Sequence, residues 1–270
     1  MVTWASQWSS TWRRLPPPDR IALGPRAGGT TYRQLDELAS RGAGLLAELH
    51  ARHAVFVGVN GPVLPTLMFS AARAGIPLAP LNYRLPAAQV LELIDRLDEP
   101  VIVADDEYIA KLAGCRHRIL STAEFLRLAS TTAPPVEVDA SEDGGTAIVL
   151  FTSGTTSAPK GVLLRHRHLL SYLINTVEFG SAGAEQAALL STPPYHIAGL
   201  GAVLSNIYST RRMVHLPDFA PQRWLDTVRA EGGVTSAMVV PTMLARIVDH
   251  LGGAPRRRPP RPRVARLWGW

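Results

Sequence analysis

Ten consecutive residues, Thr152-Ser-Gly-Thr-Thr-Ser-Ala-Pro-Lys-Gly161, concentrate the chemistry of this 270-residue chain. Thr152, Ser153, Thr155, Thr156 and Ser157 offer five hydroxyl groups, and Lys160 adds a single ammonium charge. Gly154 and Gly161 are expected to let the backbone turn tightly and bring its N–H groups near a ligand. Hydroxyls, bare amides and one lysine suit a polyphosphate. The segment is not a Walker A loop: Lys160 follows Gly154 by six residues, and Gly161 stands where that motif needs Ser or Thr. An exposed hydroxyl-rich turn is the plain alternative. The ordered string after the apolar run Ile148–Phe151 argues against it.

The elements around this segment read as alternating helices and short apolar strands. Thr31 to His50 has helical periodicity with Thr31 as N-cap. Ala54–Val59, Ile76–Pro80 and Val101–Ala104 suit buried strands, with helices over Leu64–Ala74 and Pro86–Leu97 between them. Ser130–Gly145 reads as a linker. Past it come a strand at Ala147–Phe151, a helix at Arg167–Phe179, and strands at Ala187–Ser191 and Met213–Leu216. A helix at Pro221–Glu231, a strand at Ser236–Val240 and a helix at Pro241–Leu251 follow. Such alternation predicts an α/β fold with a largely parallel sheet flanked by helices.

The ten-residue string resembles the signature loop of the adenylate-forming superfamily, which includes acyl-CoA synthetases, luciferases and peptide-synthetase adenylation domains. The usual string is Thr-Ser-Gly-Thr-Thr-Gly-x-Pro-Lys-Gly; here Ser157 takes the place of its second glycine. Thr31-Tyr-Arg-Gln-Leu35, Ala74-Gly-Ile-Pro-Leu-Ala-Pro-Leu-Asn-Tyr-Arg-Leu85, Pro194-Tyr-His-Ile-Ala-Gly-Leu200 and Val239-Val-Pro-Thr-Met243 resemble further segments of that family. The resemblance implies the large N-terminal domain of such an enzyme, with parallel-rich sheets flanked by helices. It implies that Thr152 to Ser157, Lys160 and Gly161 hold ATP, with Lys160 on the β- and γ-phosphates. It implies that His196, Ala198 and Gly199 line the acyl pocket. On its own, a histidine in an apolar stretch more often packs into a core. The implied reaction joins a carboxylic acid, of fatty type, to AMP from ATP and then to coenzyme A. Magnesium would arrive with ATP and stay on its phosphates. No metal cage of protein ligands is expected: His166 and His168 flank Arg167, and Cys115 is the single cysteine.

Charge and composition set limits on other classes. The net charge of +6 comes from the tail, where six arginines lie between Arg256 and Arg266. Residues 1–254 carry 22 basic and 22 acidic side chains, so a nucleic-acid-binding face on this body is not expected. With one cysteine and no export signal, a cytoplasmic setting is expected. A greasy substrate would still permit peripheral contact with lipid. The family's later motifs, including Tyr-Gly-x-Thr-Glu, are absent from the sequence. Residues 1–254 therefore read as part of an adenylation domain and 255–270 as an Arg/Pro-rich, disordered tail. The break at Pro255 suggests a shifted reading frame. The tail's alternative role is binding nucleic acid or anionic lipid. A sheet that stops there would leave an edge uncovered for a partner, with low stability and reduced activity. Two functions compete on these grounds: the ligase, or a non-catalytic nucleotide- or acyl-binding module.

Overall fold

The computed structural model describes residues 18–134, 145–152, 159–230 and 234–252. In chain order the elements are β1 (Ile21–Leu23), β2 (Thr30–Thr31), α1 (Tyr32–Glu48), β3 (His53–Val57), α2 (Val63–Arg73), β4 (Leu78–Pro80) and α3 (Ala87–Ile94). There follow β5 (Pro100–Ala104), α4 (Asp106–Ile109), β6 (Ile119–Ser121), α5 (Thr122–Thr131), β7 (Thr146–Thr152) and β8 (Lys160–Arg165). The remainder is α6 (His166–Thr176), β9 (Ala187–Leu190), α7 (Ile197–Tyr208), β10 (Arg212–His215), α8 (Pro221–Ala230), β11 (Val234–Ala237) and α9 (Pro241–Gly252).

The strands form two sheets. One runs β6-β5-β3-β4-β7-β8 and the other β11-β9-β10-β1-β2. Both are parallel except at one edge, where β8 pairs antiparallel with β7 and β2 with β1. The side-chain alternation of each strand sorts its residues between layers. Ala54 and Phe56 of β3 join the central core, while Val55 and Val57 join an outer cluster with Val90, Leu93 and Ile94 of α3. In the other sheet, Ala188 and Leu190 face the centre, and Ala187 and Leu189 face Trp224 and Val228 of α8. Helices thus cover both faces of both sheets, in five layers.

The central layer explains the composition of α2. Every residue from Val63 to Ala72 is buried, so this helix has no polar face to spare. Its sequence Val-Leu-Pro-Thr-Leu-Met-Phe-Ser-Ala-Ala is apolar or small throughout. Arg73 ends it and ties back to α1, donating to Asp36 O at 2.6 Å and Ser40 Oγ at 2.7 Å. Helix α1 starts on a capping box between Thr31 and Gln34, as the Thr31 reading anticipated.

Helices α1 and α2 meet at Gly42. A Cβ there would lie 2.2 Å from Ser70 Oγ and 3.0 Å from Ser70 Cβ. Gly42→Ala is therefore expected to lower stability by about 2 kcal/mol. Ser70→Ala in the same chain should recover only part, because the second contact remains. Paired urea denaturation of the two variants checks this; an unchanged midpoint in Gly42→Ala would exclude the close packing.

Several elements differ from the sequence reading. The strand expected at Ser236–Val240 lies earlier, at Val234–Ala237, where it pairs with β9. The helix expected to run to Phe179 stops at Thr176, and Phe179 packs edge-on against Tyr208 with ring centroids 5.1 Å apart. The expected linker is helical as far as Thr131; residues 135–144 and the tail from 253 lie outside the described residues. Strands β1, β2, β6 and β8 and helices α4, α5 and α7 were not anticipated. On α9, Leu244, Val248 and Leu251 form an exposed apolar stripe, and the neighbouring β11 pairs on one side only among the described residues. None of the described helices is long and apolar enough to cross a membrane.

Candidate functional site

The phosphate-type segment is the connection of a β-hairpin. Strand β7 enters it through buried Ala147, Ile148, Val149 and Leu150, and the exposed strand β8 leaves it. Thr152 pairs with Lys160 and Phe151 with Gly161. The Thr152 hydroxyl also donates to the Lys160 carbonyl at 3.4 Å. The two ends of the ten-residue string are therefore bonded neighbours. The candidates Ser153, Gly154, Thr155, Thr156 and Ser157 lie outside the described residues. The tight turn expected at Gly161 is not there: the residue lies within β8, and a Cβ on it would meet only ordinary contacts at 3.6 Å. From outside the hairpin, Arg96 donates to the Pro159 carbonyl at 2.6 Å, and its Cζ sits 5.3 Å from the Phe151 ring centre.

Strand β7 lies next to parallel β4, so the end of β7 and the start of β8 lie at the carboxyl ends of the parallel strands. That edge is where open α/β sheets bind ligands. A second constellation forms at the same edge. The turn after β4 carries Tyr83, whose ring stacks on Tyr108 at 5.0 Å and meets Tyr195 edge-on at 5.4 Å. Tyr195 in turn touches His196, centroid to centroid 4.7 Å. Lys111 holds this turn by donating to the carbonyls of Tyr83 at 2.6 Å and Leu85 at 3.1 Å. Phe151 and Tyr195 both pack against one outer cluster, which draws the hairpin and the histidine segment to the same side of the sheet.

His196 is the N-cap residue of α7. Partial burial, and then the nearby Arg84 charge, lower its pKa, so the ring is neutral at pH 7. A neutral imidazole can hydrogen-bond a carboxylate or carbonyl neighbour without bringing a full charge. Ile197 beside it is 54% exposed, an apolar side chain left facing solvent in the first turn of α7. Ala198 is half-buried and Gly199 buried in that turn. A Cβ on Gly199 would lie 2.5 Å from the Pro193 carbonyl oxygen. The glycine is thus what lets the turn before His196 close onto the helix.

Two positioning residues were not singled out from sequence. Buried Asn60 donates from Nδ2 to Thr192 O at 2.9 Å and Leu216 O at 3.4 Å, joining the turn after β3 to the ends of β9 and β10. Asp105 accepts from the Val59 amide at 2.8 Å and holds the same turn. Burial raises the Asp105 pKa against the hydrogen bonds that lower it. The only sequence signal was Asn60-Gly61, read as a turn; its reach across to the other sheet is a tertiary fact.

The ends of β9 and β10 also enclose polar atoms. Ser191 Oγ, Thr192 Oγ1 and His215 Nε2 are shielded and have no partner among the described residues. Burial pushes the His215 pKa down to about 4. An unfolded histidine titrates near 6.5, so the unfolded chain binds a proton that the fold refuses. Stability from this group is complete above pH 6.5 and is lost as pH falls toward 4, by about 3 kcal/mol. The expected result is a shallower acid limb of the stability curve in His215→Leu than in the parent, from urea midpoints between pH 7.5 and 4.5. Parallel limbs would contradict a buried neutral ring.

Of the candidate phosphate donors, only Thr152, Lys160 and Gly161 lie among the described residues. Thr152 and Lys160 are both exposed, and as partners across the ladder they share one face of the sheet. Among the described residues no group of three or more His, Cys, Asp and Glu could hold a metal ion.

Comparison with known proteins gives three kinds of agreement. The family model described as AMP-binding enzyme matches residues 11–268. A feruloyl-CoA synthase of Amycolatopsis is 28% identical over 254 residues, covering 87% of this chain and 50% of the relative. A mitochondrial malonate–CoA ligase of Mus musculus is 27% identical, covering 88% and 44%. A fatty acid–[acyl-carrier-protein] ligase of Streptomyces coeruleorubidus is 28% identical, covering 82% and 45%. Among solved structures, ATP-bound MatB from Rhodopseudomonas palustris superposes with a TM-score of 0.76 at 24% identity, over 90% of this chain and 51% of that one. At that identity the structure speaks for the fold alone. The chain spans about half the length of the curated relatives it matches.

Proposed function

This chain belongs to the family of AMP-binding enzymes, and on that premise we propose that it serves ATP-dependent activation of a carboxylic acid toward a coenzyme A thioester. In the first step the carboxylate attacks the α-phosphorus of ATP, forming acyl-adenylate and releasing pyrophosphate. The thiolate of coenzyme A then displaces AMP. The observation that carries the reading is the β7–β8 hairpin, in which Lys160 is held by pairing with Thr152 at the carboxyl end of β7, a strand parallel to β4.

In this reading Lys160 and the hydroxyls of the hairpin bind the phosphates and neutralise charge as pyrophosphate departs. Neutral His196 borders the acid, and Ala198 and Gly199 form the adjoining wall. The exposed Ile197 supports a fatty acid over a small polar one, since an apolar chain would cover it. The named relatives act on acids as different as ferulate, malonate and fatty acids, so the acid class rests on this wall.

The test is ATP–pyrophosphate exchange on the purified chain with fatty, aryl and dicarboxylic acids. Exchange that depends on a fatty acid is expected; exchange with aryl or dicarboxylic acids alone would overturn the substrate class. One observation favours a second reading, a nucleotide- or acyl-binding module completed by a partner: the exposed stripe Leu244, Val248 and Leu251 beside β11. Binding of ATP without exchange, restored by an added partner segment, would support it.

A further inference from the structure

We infer that Arg96 is a positioning residue for the phosphate hairpin, holding Pro159 and Phe151 so that Lys160 is presented in one place. The inference rests on the ATP reading above. Arg96 lies between α3 and β5, outside every motif that resembles the family.

The geometry makes the grip specific. Arg96 Nη1 donates to the Pro159 carbonyl at 2.6 Å. A peptide unit is planar, so fixing the Pro159 oxygen also fixes the nitrogen and Cα of Lys160. The same guanidinium covers the Phe151 ring, with Cζ 5.3 Å from its centre. Phe151 pairs with Gly161 across the hairpin. One side chain therefore holds both strands of the stem, next to the residue that carries the charge.

The base of Arg96 is itself anchored. Asp95 donates its amide to Leu91 O at 2.9 Å, Leu97 donates its amide to Ile94 O at 3.0 Å, and the Leu97 side chain is buried in the outer cluster. Asp98 pairs with Arg52 at 2.7 Å, and among the described residues Arg96 forms no ion pair with a carboxylate. The guanidinium is left to a loop carbonyl. Arginine suits the task because a planar fork can donate and stack at once, which a lysine ammonium cannot. An exposed arginine that merely shades a surface ring is the competing account, and it predicts no effect on the hairpin.

The experiment compares the full chain with Arg96→Ala and Arg96→Lys. Arg96 is exposed, so both variants are expected to fold. Hydrogen exchange without nucleotide is read in peptides spanning 145–152 and 159–165, with β3 and β5 as internal reference. Loss of a charge-assisted bond is expected to speed exchange in the hairpin about tenfold in Arg96→Ala, and less in Arg96→Lys, leaving β3 and β5 unchanged. The dissociation constants for ATP and for pyrophosphate should rise in the same order. Unchanged hairpin exchange overturns the inference, and so does equal acceleration in β3 and β5, which would mean general loosening. If the parent chain binds neither ATP nor pyrophosphate, the nucleotide reading fails, and the exchange pattern still decides whether Arg96 holds the hairpin.

Discussion

Lys160→Ala is expected to abolish most acid-dependent ATP–pyrophosphate exchange, by roughly 100- to 1000-fold, while leaving the fold intact. Lys160 is the cation at the mouth of the β7–β8 hairpin, exposed in the first position of β8. Its backbone is held by pairing with Thr152, so truncating the side chain removes a charge without undoing the strand. The loss should fall mainly on turnover, because charge on the β- and γ-phosphates grows as pyrophosphate leaves. ATP affinity should fall less, by about tenfold, the scale of one charge-assisted bond. Lys160→Arg should recover part of the affinity, since the charge returns in a bulkier, planar group. Steady-state exchange across ATP concentrations, with circular dichroism as the folding control, reads all three. An alanine variant with full exchange would remove Lys160 from the phosphate site.

Gly199→Val should be the most damaging single change near His196. The first side-chain carbon would lie 2.5 Å from Pro193 O, 3.1 Å from Pro193 C and 3.3 Å from Pro194 Cα. These are backbone atoms, so no rotamer relieves the overlap. Two effects oppose each other. Replacing a helical glycine by valine gains only about 0.3 kcal/mol, because the β-branched side chain is itself a poor helix former. Driving a side chain into backbone costs about 1–3 kcal/mol or more, and valine adds two methyl groups to that overlap. The clash wins, and the turn carrying Tyr195 and His196 must move. Expected outcomes are a urea midpoint lowered by the equivalent of about 2–3 kcal/mol and loss of acid dependence in exchange. Gly199→Ala should show the same direction at smaller size. A valine variant as stable as the parent would show that α7 does not close onto Pro193.

The buried strands and amphipathic helices were readable because their signals are local. Val101–Ala104 is apolar on both faces because helices cover both sides of its sheet, and a continuous apolar run is what such a strand shows. Thr31 caps α1 through its own third neighbour, Gln34, so four residues contain the whole signal. Strand β8 had no such signal. Lys-Gly-Val-Leu-Leu-Arg is exposed along most of its length and becomes a strand because β7 offers a paired edge. Helix α7 was hidden by its composition: Ile-Ala-Gly-Leu-Gly-Ala-Val-Leu is apolar nearly all round, so no periodic face marks it.

What the amino-acid sequence determined alone was the family and the chemistry on offer: a hydroxyl-rich string ending in Pro159-Lys160-Gly161, and a histidine in a segment with small residues. Those are properties of residue type and order, and they survive without knowledge of the fold. Only tertiary structure decided that Asn60, from the turn after β3, reaches the ends of β9 and β10, or that Arg96 grips a carbonyl 63 residues away. It also decided that Tyr83 and Tyr195 meet beside His196. Polar and aromatic side chains with distant partners leave no periodicity in the chain. Their partners are selected by packing the two sheets about one layer of helices, and that arrangement is where the β7–β8 hairpin acquires its neighbours.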